Sequence, residues 1–109
     1  MNPIEALAEQ ADQLFEQAEM IAETTPKESL MLFRKGIDLM FHAYFRMKQI
    51  DFKGDLGEIF QKCLEIEPEF EAIEEAVAYL TQDNQGVDAE EMVDAANEIW
   101  DFVTELISD

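Results

Sequence analysis

The stretch Glu23-Thr24-Thr25-Pro26-Lys27-Glu28 decides the fold, because one helical pattern ends in it and another begins. Before it, Ile4, Leu7, Ala8, Ala11, Leu14, Phe15, Ala18, Ile21 and Ala22 recur at intervals of three and four, the spacing of one helix face. Asn2 is placed to accept the first amide bonds, Pro3 suits the first helical position, and Glu5 completes an Asn-x-x-Glu capping pattern. Thr25-Pro26-Lys27-Glu28 repeats that start signal, and a residue before proline is pushed out of the helical region. Two long helices therefore meet at a tight turn and run antiparallel.

The second helix is expected from Pro26 to about Gln49. From Ile37 to Met47 it is apolar on most faces (Ile37, Leu39, Met40, Phe41, Ala43, Tyr44, Phe45, Met47), so it is either central or shared with a second copy of the chain. Gly54-Asp55 breaks the pattern, and Asp55-x-x-Glu58 opens a short helix that turns Leu56, Ile59, Phe60, Cys63 and Leu64 inward. Pro68 marks the next start, with Phe70, Ile73, Val77 and Leu80 as its stripe, and the polar run Thr81–Gly86 ends it. Asp88 then caps a final helix, with Glu91 completing a capping box and Val87 stapled to Met92. Its inward side is Val93, Ala96, Ile99, Trp100, Val103, Leu106 and Ile107. No segment alternates with period two over a strand's length. The expected fold is all-α, a five-helix bundle forming a single domain over residues 1–109: two long antiparallel helices, one short helix and two further helices.

Charge narrows the function classes. Lys+Arg number 7 against 26 Asp+Glu, a formal net charge of −19. All seven bases lie between Lys27 and Lys62, where they meet five acids for a local net of +2; residues 1–26 carry six acids and residues 63–109 fifteen, with no base in either. Such a chain repels phosphate backbones and anionic membranes, which excludes broad nucleic-acid coating. Cys63 is the only cysteine, so no intrachain disulfide or cysteine-rich zinc site forms. Met1–Thr25 hold no Lys or Arg, and no apolar run reaches membrane-spanning length. A cytoplasmic protein without membrane contact, metal or cofactor is the expectation.

Taken in order, the two long helices, the Gly54-Asp55-Leu56 helix start, the phrase Cys63-Leu64-Glu65-Ile66-Glu67-Pro68-Glu69-Phe70-Glu71 and the acidic last helix resemble the HEPN domain family. The most specific part runs from Gly54 to Leu80, similar to the family's His-Asp-Leu helix followed by a Pro-Glu-Phe start. The resemblance implies a small helical bundle, often dimeric, frequently encoded or fused with a minimal nucleotidyltransferase in toxin-antitoxin or nucleotide-linked systems. Catalytic members carry an Arg-x4-6-His motif for RNA cleavage. Here the only histidine, His42, follows Arg34 by eight residues and Lys35 by seven, while Arg46 comes after it. Gly54 stands in the place of the family histidine, and the Arg-Tyr-Pro segment is missing from Thr81–Gly86. The reading is a non-catalytic, HEPN-like interaction protein. A separate local likeness, Phe60-x-x-Cys63-Leu64-x-Ile66-x-Pro68, resembles the end of a tetratricopeptide repeat, without the 34-residue period of an adaptor built from such repeats.

Four groups of residues are chemical candidates. Lys35, Asp38, His42, Arg46 and Gln49 follow at helical intervals; Asp38 would orient His42, and Lys35 and Arg46 would hold phosphate, in a ribonuclease or nucleotide-binding alternative. Lys48, Lys53 and Lys62 flank Gly54 and Gly57 at a helix start, where free amides favour an anion. Phe41, Tyr44 and Phe45 exceed what one amphipathic stripe needs and are the expected homodimer interface. Glu5, Glu9, Asp12, Glu16, Glu19 and Glu23, with Glu91, Asp94, Glu98, Asp101 and Glu105, form two carboxylate ladders facing water, the basis of a third alternative, an acidic nucleic-acid mimic. Cys63 reads as a packed thiol.

Overall fold

A computed structural model describes residues 2–82 and 87–108. The chain forms α1 (Pro3–Ile21), α2 (Pro26–Lys48), α3 (Leu56–Ile66), a 3-10 segment (Pro68–Ile73), α4 (Glu74–Thr81) and α5 (Ala89–Ile107). The described residues contain no strand, so the all-α, five-helix expectation is met. No described helix is long and apolar enough to cross a membrane. Residues 83–86, which fall in the expected polar terminator, lie outside the described residues.

Asn2 accepts the backbone N–H of Ile4 at 2.8 Å, as its cap position requires. The hairpin is built differently from the expectation. Thr25 makes no side-chain cap on α2. Its N–H and hydroxyl instead donate to the Ile21 carbonyl at 2.8 and 3.3 Å, so this threonine closes α1. The clamp on the start of α2 is Ser29, fully buried, whose hydroxyl donates to the Ala18 carbonyl across the hairpin at 2.7 Å.

α2 is the central element. Phe33, Ile37, Met40, Phe41, Ala43 and Tyr44 have no exposed surface, because α1, α3, the 3-10 segment, α4 and α5 all pack on this helix or its neighbours. The three residues expected at a homodimer interface are buried within the chain. Phe41 packs at a tilt against Phe60 and edge-on against Phe70, Tyr44 meets Phe70 edge-on at 5.0 Å, and Phe45, 2% exposed, meets Phe52. The apolar excess of α2 is consumed inside the chain, leaving Phe41, Tyr44 and Phe45 no surface for a second copy.

Asp55 and Glu58 make both halves of the expected capping box on α3. Beyond it, the stripe Phe70, Ile73, Val77 and Leu80 is buried as expected, but its first turn is 3-10 rather than α. In a 3-10 turn residues three apart eclipse, so Phe70 and Ile73 both reach the core. Asp88 caps α5 through the Glu91 N–H. The reciprocal half of that box is replaced: the Asp88 N–H donates to the Tyr79 hydroxyl of α4 at 2.8 Å, tying α4 to α5. Phe102, absent from the expected α5 stripe, packs on Phe70 at 5.1 Å.

Candidate functional site

The C-terminal half of α2 carries the sequence candidates into an open cleft of about 450 Å³. His42, Phe45 and Arg46 line it from α2, Leu7 from α1, and Ile50, Asp51, Phe52 and Lys53 from the connection to α3. Local folding sets this geometry. Gln49 takes the left-handed conformation at φ 59°, and its N–H and that of Ile50 bond back to the Arg46 and Phe45 carbonyls, which ends α2 and turns the chain toward the cleft. The expected polar stripe therefore stops at Arg46, and Gln49 is a helix terminator.

His42 Nε2 lies 3.6 Å from Asp38 Oδ1, one helical turn back, and its ring stands edge-on to Phe45 at 5.9 Å. Asp38 is thus the near neighbour that the helical spacing places beside the imidazole, at more than hydrogen-bond length, and it does not line the cleft. Lys35 is exposed and also lies apart from it.

The three lysines expected to converge on the α3 start go three ways. Lys48 sits 3.4 Å from Glu67 and over the Tyr44 ring. Lys62 sits 3.8 Å from Glu65 and over the Phe52 ring. Lys53 alone joins the cleft. At the α3 start the Asp55 carboxylate accepts the Glu58 amide. Arg34, which the sequence reading left unassigned, donates to the Leu80 and Gln82 carbonyls at 2.6 and 2.8 Å and closes the end of α4. An arginine at the edge of an apolar stripe carries no local sign of such a distant partner.

Tyr44 and Cys63 form a buried pair of titratable groups. The Tyr44 hydroxyl donates to Glu67 Oε1 at 2.7 Å. Burial, and then the Glu67 carboxylate, hold the Tyr44 phenol above its ordinary range. Burial and Glu67 also push the Cys63 thiol up to about 12, so it stays neutral and packed rather than nucleophilic.

A second concave surface of about 400 Å³ lies between the end of α1 and the start of α5. Glu19, Glu23, Glu90 and Asp94 surround Met20, Ala22, Thr24, Ala89 and Val93. The residues of both expected ladders are exposed. Among the described residues, no group of three or more His, Cys, Asp or Glu is placed to hold a metal ion. The helices, of 19, 23, 11, 8 and 19 residues, also lack the recurring equal pairs of a tetratricopeptide array. No protein-family model, curated protein or solved structure matches this chain.

Proposed function

We propose that this chain is a non-catalytic, HEPN-like interaction protein whose partner is a minimal nucleotidyltransferase in a toxin-antitoxin or nucleotide-linked system. The observation that carries the interaction reading is the groove between α1 and α5, whose lining holds four carboxylates and no base together with Met20, Ala22, Ala89 and Val93. Met20 in it is 82% exposed. An exposed apolar anchor ringed by charge of one sign suits a protein contact, and that sign selects a basic surface and repels phosphate. The HEPN resemblance supplies the class of partner. The test is a search for a minimal nucleotidyltransferase gene beside this one, whose absence counts against the pairing, and calorimetric titration of the chain with the product of such a gene. Saturable binding, weakened by salt, by Met20→Glu and by Glu19→Lys, is expected; no binding at any salt level overturns the pairing. Binding instead to basic DNA-associated proteins moves the reading to an acidic nucleic-acid mimic.

A second reading, phosphodiester cleavage by His42 with Arg46, is favoured by their shared cleft and by the Asp38 carboxylate 3.6 Å from the imidazole. RNA and dinucleotide cleavage by the chain and by His42→Ala separates the two. Equal background rates support the non-catalytic reading, and a rate lost with His42 replaces it.

A further inference from the structure

We infer that the cleft at the end of α2 binds a small phosphate monoester with a flat, apolar body. The inference stands apart from the partner reading, since it concerns the other end of α2 and needs no second protein.

The argument begins with where the seven cations go. Arg34 is spent on the α4 carbonyls, and Lys48 and Lys62 are each beside a glutamate. Lys27 and Lys35, exposed as Arg46 and Lys53 are, do not line the cleft. That leaves Arg46 and Lys53, which reach the same cleft from a helix and from a loop, and neither has a described carboxylate within ion-pair distance. Asp51 shares the cleft but pairs with neither. In a chain of net charge −19, a concavity lined by two cations and one carboxylate is a local exception.

The nearby backbone does not absorb them either. The Arg46 and Phe45 carbonyls at the end of α2 already accept the Gln49 and Ile50 N–H groups. Beside the cations, the Phe45–Phe52 pair, with ring centroids 6.0 Å apart, and Ile50 provide an apolar wall. His42 contributes a third polar side chain to the lining. Cations approaching from two elements suit a group with several terminal oxygens and up to two charges. A carboxylate is satisfied by one guanidinium alone. The volume, about 450 Å³, falls in the range of small-ligand sites, with room for a ring as well as the phosphate.

The experiment titrates the full chain with adenosine monophosphate, ribose 5-phosphate, adenosine and benzoate, followed by calorimetry and by perturbation of the His42 ring resonances. Adenosine monophosphate is expected to bind saturably. Ribose 5-phosphate and adenosine should each bind about tenfold more weakly, since each lacks one of the two recognised features. Arg46→Gln and Lys53→Gln should each weaken binding by about tenfold, with Lys35→Gln unchanged and all three retaining the native circular dichroism and melting temperature. Benzoate binding as tightly as the phosphate ester, no saturable binding of the ester, or equal losses in Lys35→Gln and Arg46→Gln would each overturn the assignment.

Discussion

Gly36 of α2 lies so close to Phe15 of α1 that a Cβ built on it would stand 2.5 Å from Phe15 Cε1 and 2.8 Å from Cδ1. The long helices approach through this point. Phe15 has nowhere to retreat, since its ring is also packed on Phe33 at 5.8 Å and Trp100 at 5.6 Å. Gly36→Ala should therefore destabilise the bundle, although alanine is the better helix former, because overpacking costs about 1–3 kcal/mol and the propensity gain is about 1 kcal/mol or less. A melting temperature equal to or above that of the wild type would show that the hairpin can open to admit the methyl group. The double variant Gly36→Ala with Phe15→Leu should recover part of the loss.

Arg34 holds the last turn of α4 through two carbonyls that no other described side chain reaches. Arg34→Met keeps much of the stem packing and removes both bonds. Stability should fall by about 1–2 kcal/mol, and hydrogen exchange should accelerate in α4 more than in α1. Uniform acceleration over all helices would mean that this contact supports the whole bundle rather than its local end.

Alkaline pH should unfold this protein earlier than its acidic composition suggests. The Cys63 thiol rises from an ordinary 9.0 to about 12 in the folded chain, and burial also raises Tyr44 and Tyr79 from 10.0. For groups shifted upward, the folded state holds its protons more tightly. Their stabilisation is complete below the unfolded pKa and is lost as pH rises through the folded one. Denaturation midpoints should thus be insensitive to these groups near neutrality and fall from about pH 9 toward 12. In the double variant Cys63→Ala with Tyr44→Phe the fall over that window should be shallower. An unchanged slope would put the alkaline sensitivity elsewhere.

The same burial makes the thiol inert. Reaction of Cys63 with a disulfide reagent at about pH 8 should be slower in the native chain than in denaturant by about a hundredfold or more, because both access and thiolate fraction are reduced. Native and denatured rates within a factor of a few would mean that α3 opens readily.

Helix number and most boundaries were legible in the amino-acid order because they rest on local physics. Periodic burial at three and four, Asn2, the Asp55–Glu58 box and the Pro68 start each act within a turn of the residue concerned. Tertiary structure decided whatever depends on a partner distant in sequence. Arg34 meets Leu80 and Gln82, Ser29 meets Ala18, and Tyr79 takes the Asp88 amide that a local box would have left to Glu91. The surplus of aromatic residues on α2 was visible, but whether a second copy or the chain's own α3, 3-10 segment and α5 covered it was a matter of packing. Phe60 and Phe70 cover Phe41, Phe52 covers Phe45, and Phe102 backs Phe70. At the candidate site, spacing alone placed His42 one turn from Asp38 and Arg46. The joining of Arg46 to Lys53, and the separation of Lys48 and Lys62 from both, followed only from the turn at Gln49, since charge composition says how many cations exist and not which of them find carboxylates.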